Sequence, residues 1–337
     1  MPPSDPKLLC VVLNWRTADM TLRAAEAALV AQQGLNAELL IVDNDSQDGS
    51  FEALQSGVAA RGWPVRVLQS GHNGGFGAGN NFGMKAGLSN GAQPDYYYIL
   101  NSDAFPAPGA IRALQDYLVS HPNVGFAGSY ICDGAGAADQ TAFRFPSALG
   151  EFEGAARFGP VSRLLRRHIV PLPVPHETVM VDWLAGASLM MRAKTLEEIG
   201  LFDERFFLYF EETDLCRRAG KAGWPTVYVR ESEVAHIGSV TTGMKTWARV
   251  PQYWFDSRWH YFTKNHGQAY ALGATALHVL GGALYRVRRL LDRKPLAAAP
   301  YFLRDLLVHS AGAVFARPRP AARLCPRSAR STKGGSQ

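Results

Sequence analysis

Apolar runs of strand length alternate with helically spaced segments along the first 130 residues. LLCVVLN (8–14), AELLIVDN (37–44), VRVLQ (65–69), YYYILN (96–101) and VGFAGS (124–129) are nearly unbroken apolar runs. That is the pattern of strands buried on both faces. Between them MTLRAAEAALVAQ (20–32), FEALQSGVAAR (51–61) and GAIRALQDYLVSH (109–121) place apolar residues three and four apart, and GFGAGNNFGMKAGLS (75–89) is glycine-rich but compatible with a helix. Repeated βα units predict an α/β fold with a mostly parallel sheet and helices on both faces. Ligands of such sheets bind beyond the carboxyl ends of the strands. Polar clusters lie there: Asn14-Trp15-Arg16, Asp43-Asn44-Asp45 and Asn101-Ser102-Asp103.

The pattern then loosens. Residues 130–180, rich in Gly, Pro and Arg, predict a long loop or short helices that could cover a site. VDWLAGASLMMR (181–192) returns to strand character, TLEEIG (195–200) is a short helix, and an acidic-start helix spans 211–222. TVYV (226–229) is another strand, and 251–266 form an aromatic and basic helix. Gly267 to Tyr285 carries no charge for 19 residues, but glycines and His278 dilute its apolarity. A spanning helix needs about 20 predominantly apolar residues. An interfacial or packed helix is the expectation, with Arg286, Arg288 and Arg289 directly after it. This divides the chain into an α/β domain (1–245), a C-terminal helical region suited to membrane association (246–316) and a basic tail (317–337).

Charge changes the picture only at that tail. The net charge of the 337-residue chain is +6, and residues 317–337 hold six Lys or Arg and no acid. The body therefore balances to zero, without the basic stripe of a nucleic-acid binder. The tail reads as solvated chain or as a contact to anionic lipid. Four dispersed cysteines, Cys10, Cys132, Cys216 and Cys325, lack metal-ligand spacing. They suit a reduced, cytoplasmic protein without structural zinc. MPPSDPK lacks the basic n-region of a signal peptide.

Four constellations could carry chemistry. VDNDSQDG (42–49) can accept hydrogen bonds from a base or ribose, or can form an Asx turn that caps a helix. GHNGGFGAGNNFG (71–83) allows close backbone approach, but it follows the third strand and has Phe82 where a dinucleotide fingerprint needs Gly. NSD (101–103) offers one carboxylate to a hard cation. FLYFEETDLCRR (207–218) crowds Glu211, Glu212 and Asp214 at a helix start, with His236 further on. Glu211 and Asp214 share a face and Glu212 points about 100° away. The helix dipole accounts for one or two of these acids more easily than for three.

Taken in order, VVLNWRT, LLIVDNDSQDGS, GHNGGFGAGNNFGMKAG, YYYILNSDAFPAPGAI, VDWLAGASLMMRAKTLEEIGLFDERFFLYFEETDLCRRAGKAGW and VAHIGSVTTG resemble the family 2 glycosyltransferases, particularly their rhamnosyltransferase-like branch. The resemblance covers about residues 8–240 and implies a GT-A fold followed by a C-terminal helical extension. It implies that Asn14, Asp43 and Asp45 hold the nucleotide, and that Asn73, Gly74, Gly75 and Asn80 line the donor site. Asp103 would be the second acid of the family's D-x-D motif, with Asn101 at the first position, and His236 a further ligand to Mg²⁺ or Mn²⁺. Trp183, Gly186 and Ala187 would form the acceptor side. Glu212 stands where the family usually has the Asp that serves as general base, and Glu211 and Asp214 would orient the acceptor.

The function so implied is metal-dependent inverting transfer of a sugar, L-rhamnose from dTDP-rhamnose in the leading case, to a polyprenyl-linked or cell-envelope glycan. The enzyme would sit in the cytoplasm or peripherally on the inner face of the cell membrane. Two other classes fit parts of the sequence. A sugar-1-phosphate nucleotidyltransferase would carry glycines after the first strand, where NWRTADM has none. A non-catalytic saccharide-binding relative would tolerate the Glu212 departure.

Overall fold

The computed structural model describes residues 5–238, 249–293, 295 and 299–315. The basic tail, the 245/246 boundary and the SVTTG end of the last matched motif lie outside them. In chain order the elements are β1 (Leu8–Asn14), α1 (Ala18–Ala31), β2 (Ala37–Asp43), α2 (Ser50–Arg61), β3 (Val65–Gln69), α3 (Phe76–Ala86), β4 (Tyr96–Asn101), β5 (Ala104–Pro106), α4 (Ala110–Ser120) and β6 (Phe126–Cys132). There follow β7 (Ala142–Phe143), α5 (Ala148–Ala156), α6 (Gly159–Leu164), β8 (Val179–Val181), β9 (Trp183–Leu184), β10 (Ser188–Arg192) and α7 (Ala193–Ile199). The chain continues with α8 (Glu211–Lys221), β11 (Thr226–His236), α9 (Gln252–His266), α10 (Gln268–Leu291) and α11 (Phe302–Phe315).

The main sheet runs β3-β2-β1-β4-β10-β6-β11-β5, with β8 also paired to β11. β1, β2, β3 and β4 are mutually parallel, while β10 is antiparallel to both its neighbours. Each face of the parallel half is covered, as the unbroken apolar strands demand. Leu8, Cys10 and Val12 of β1 point to the layer of α1, α2 and α4. Leu9 and Val11 point to the layer that holds Met84, Leu196 and Leu215 from α3, α7 and α8. Glycines let α3 sit close on that face: a Cβ on Gly83 would fall 2.7 Å from Val11.

Two differences from the pattern matter for the site. β5 is too short to show in the sequence. β11 runs seven residues past TVYV to His236, with a register shift between Val229 and Glu233. The irregularity lets one strand pair with β8 at its start and with β5 at its end. It also carries His236 back to the end of β4.

The C-terminal helices pack on the front of this domain. Phe206, Tyr261, Phe262, Ala271 and Ala274 form a third core cluster, with Ala148 and Phe210 against it. α10 crosses α5 at close range: a Cβ on Gly281 would lie 2.5 Å from the Phe152 carbonyl oxygen. Among the described residues no helix is long and apolar enough to cross a membrane.

Candidate active site

The ends of β1, β2 and β4 come together as the parallel order requires. Asn14 is fully buried and donates from Nδ2 to Asp43 Oδ1 at 2.7 Å, while its Oδ1 accepts from Thr21 at 2.7 Å and from the Thr17 backbone at 3.2 Å. Asp43, equally buried, accepts from Ser46 Oγ at 2.5 Å and the Ser46 backbone at 3.1 Å. These side chains spend their hydrogen-bonding capacity on the loops that follow them. Asn14 and Asp43 brace the strand ends. Asp45 differs. It is partly exposed, sits at φ 57°, and has one oxygen engaged by exposed Gln47. The left-handed backbone turns it out of the Asp43–Ser46 knot. It and the exposed Asp48 are the carboxylates of this loop outside the buried knot. Thr17 Oγ1 then donates to Ser102 at 3.1 Å, tying the first loop to the NSD turn.

The glycine-rich segment docks on the aromatic run before α8. Phe76 N–H donates to the Phe207 carbonyl at 2.9 Å. Gly75, at φ 89°, has no room for a side chain, because a Cβ would sit 1.8 Å from that oxygen. Asn73 Oδ1 accepts from Gly75 N–H and from Asn44 Nδ2, both at 3.0 Å. Asn44 was not singled out by sequence reasoning, yet it fastens this loop to β2; its only signal was its place beside Asp43. Gly74 stays at the partly exposed edge. Asn80 does not line an open site: it is fully buried one turn inside α3, donating to the Phe76 carbonyl.

α8 begins under strain. Tyr209 and Phe210 adopt φ 70° and 69°, in the left-handed region that non-glycine residues avoid. The turn they make aims the first helical residues at the sheet edge. Glu211 and Asp214 share the inward face, as spacing predicted, and are 2% and 0% exposed. Asp214 accepts from Arg218 Nε at 2.9 Å, Lys264 Nζ at 2.7 Å and Asn265 at 3.2 Å, and so ties α8 to α9. Glu211 is walled in beside Gly77, with Oε2 unpartnered. Burial, and then the charge of Glu212, raise its pKa well above the ordinary carboxylate range.

Glu212 alone of the three stays partly exposed. Its Oε1 accepts the Gly186 N–H at 3.2 Å, and its Oε2 has no partner. Burial raises its pKa too, against the pull of backbone hydrogen bonds including that from Gly186. A carboxylate oriented through one oxygen, with the other buried and unpartnered and its pKa raised, is the candidate general base of this site. Gly186 packs closely here: a Cβ would lie 3.0 Å from the Phe76 ring, which would have to give by a few tenths of an ångström. The next residue, Ala187, accepts the Asn101 N–H at 3.1 Å. Two consecutive residues thus join Glu212 to the end of β4. Trp183 stacks on Phe143 at 4.2 Å between centroids and donates to the Arg144 carbonyl, closing the β7–β9 sheet behind this segment.

At the end of β4, Asp103 Oδ1 lies 3.1 Å from His236 Nε2, and Asn101 Nδ2 lies 3.4 Å from the same nitrogen. The backbone sets this pairing: His236 is in register with Ala104, and Ile237 N–H donates to the Asp103 carbonyl at 3.1 Å. Asp103 and His236 side chains are 6% and 18% exposed. One carboxylate and one imidazole suit a hard-to-borderline cation whose remaining ligands would come from phosphate oxygens and water. No cluster of three or more His, Cys, Asp or Glu occurs among the described residues. The donor set therefore fits a cation shared with a substrate better than an all-protein cage.

The sequence profile of the glycosyltransferase-like family 2 matches residues 6–261. The chain is a family 2 glycosyltransferase. It is 34% identical over 216 residues to the N-acetylglucosaminyl-diphospho-decaprenol L-rhamnosyltransferase of Mycobacterium tuberculosis, an alignment covering 61% of this chain and 68% of that one. It is 26% identical over 169 residues to the rhamnosyltransferase WbbL of Escherichia coli, covering 48% of this chain and 60% of that one. Its fold is GT-A. It is similar to GalNAc-T7 solved with UDP, GalNAc and Mn²⁺ (TM-score 0.53, 13% identity, 91% of this chain and 55% of that one). It is also similar to the mannosyltransferase PcManGT of Pyrobaculum calidifontis solved with GDP-Man and Mn²⁺ (TM-score 0.51, 13% identity, 93% and 88%).

Proposed function

We propose that this glycosyltransferase moves L-rhamnose from dTDP-L-rhamnose, with inversion, onto a polyprenyl diphosphate-linked glycan at the inner face of the cell membrane. The Gly186–Ala187 segment carries the reading. It holds Glu212 by one oxygen and the end of β4 by one carbonyl, so a base and a cation-type donor set flank one rim. Donor choice and acceptor class are supported by two relatives named rhamnosyltransferases, one of them for a decaprenyl diphosphate-linked sugar.

Asp103 and His236, with Asn101 beside them, hold a divalent cation, Mg²⁺ or Mn²⁺. The cation, when bound, neutralises charge on the departing nucleoside diphosphate. Asp45, Asn73 and Gly74 form the donor edge. Glu212 takes the proton from the acceptor hydroxyl while that oxygen bonds to the anomeric carbon and the bond to the diphosphate breaks. Attack from the face opposite the leaving group inverts the centre. Glu211 lies buried behind Glu212, where burial and the Glu212 charge raise its pKa and disfavour a second negative charge in the pocket.

Purified enzyme supplied with a nucleotide-sugar panel and a short-chain polyprenyl diphosphate-GlcNAc tests this. Turnover with dTDP-L-rhamnose, lost in EDTA and restored by Mn²⁺, is expected. Full turnover in EDTA would remove the metal assignment, and preference for another donor would remove the rhamnose assignment alone.

A further inference from the structure

α10 is apolar on two opposite faces. One face, with Ala271, Ala274, Thr275, Gly281, Gly282 and Tyr285, is buried against α5, α9 and α11. The opposite face exposes Leu272, Ala276, Leu280, Ala283, Val287 and Leu290, spaced four, four, three, four and three apart. That spacing makes one straight stripe along roughly 27 Å of helix at about 1.5 Å per residue. Leu280 is 58% exposed and Leu290 79%. A helix apolar all round is normally covered on all sides. Exposed stripes of this extent mark a protein or membrane contact.

Charge decides which. α10 contains no acidic residue. At its C-terminal end Arg286 and Arg293 are exposed, and neither forms an ion pair among the described residues. Six more Lys or Arg and no acid follow in the sequence beyond residue 316. A second copy laid on the same face would meet these cations with a helix whose one nearby acid, Asp292 at its C-terminal end, stands next to Arg293. An anionic bilayer answers both features: acyl chains take the leucines, and headgroups take the arginines.

We infer that the outward face of α10 is a docking surface for an anionic lipid bilayer, on which the helix lies flat. The inference does not depend on the identity of donor or acceptor.

Flotation of the full chain with phosphatidylcholine vesicles, with and without phosphatidylglycerol, tests it without any sugar. Binding is expected to phosphatidylglycerol vesicles and to fall in high salt. Leu280→Glu/Val287→Glu should lower partitioning at least about tenfold, since two apolar side chains are withdrawn from the bilayer. Leu280→Ser/Val287→Ser, which adds no charge and spares the fold, should lower it by a smaller factor. Both variants floating like wild type would overturn the inference, as the basic tail alone would then suffice. A wild-type dimer split to monomers by the same variants would overturn it in favour of a second copy.

Discussion

Glu212 differs from its neighbour Glu211 by one helical step and by one hydrogen bond. The step turns it toward the rim, and the Gly186 N–H fixes its Oε1. Glu212→Gln keeps that contact and removes the basicity, so kcat should fall by about 10²–10⁴-fold with donor KM little changed. The raised pKa of Glu212 sets the acidic limb of the wild-type rate profile: activity should be lost as pH falls through a value above the ordinary carboxylate range. A profile flat from pH 5 to 8 would remove the assignment. Glu211 has the opposite linkage to a salt-bridged acid. Its folded-state pKa is raised, so the native state holds a proton that the unfolded chain has released. Stability therefore falls as pH rises from the ordinary carboxylate value toward the raised one. Glu211→Gln should leave the urea midpoint unchanged at pH 4 and raise it at pH 8, because the neutral amide never has to shed that proton.

At the scale of elements, the decisive contact joins a glycine loop to an aromatic one. Gly75→Ala would drive a methyl group into the Phe207 carbonyl and strain φ 89°. A loss of about 1–3 kcal/mol in stability is expected from such a clash in a left-handed position. Activity should fall further than stability explains, since the displaced loop leads into Glu212. Gly79→Ala, which meets only movable Leu13 side-chain atoms and Asn44 Oδ1, is the control for a generic glycine effect. The periodic apolar runs made the strands and helices legible in sequence, and the order of polar strand ends located the site. What stayed hidden was anything set by pairing across the sheet. β5 has three residues, and β11 carries its register shift in RESE, so no periodicity announced that His236 would return to Asp103. At Asn14, Asp43 and Asp214 the sequence shows a side chain's chemistry and not how much of it neighbours already use. Thr17, Thr21, Ser46 and Lys264 were those neighbours.

At the scale of the whole molecule, a buried ion pair joins the C-terminal helices to the α/β domain. Arg258 of α9, 1% exposed, donates to Glu151 of α5 at 2.9 and 3.2 Å and to Thr275 of α10 at 3.1 Å, while His278 lies 2.6 Å from the same carboxylate. This cluster pins the C-terminal helices to the α/β domain where no strand joins them. Burial alone would raise the Glu151 pKa, but Arg258 and His278 outweigh it and bring it down from 4.5 to about 2. The native state thus resists taking the proton that the unfolded chain accepts. The resulting stability is in full force above pH 4.5 and is lost as pH falls toward 2. Glu151→Gln leaves the Arg258 guanidinium buried without a counter-charge, a loss of about 3–5 kcal/mol at neutral pH. Acid titration of the melting temperature should show the wild-type decline between those two pH values and its absence in the variant. Arg258→Met/Glu151→Met, which removes both charges and keeps apolar bulk, should recover most of the neutral-pH loss. If the double variant is as unstable as Glu151→Gln, the loss does not come from an unpaired Arg258 charge, and apolar packing cannot replace the pair.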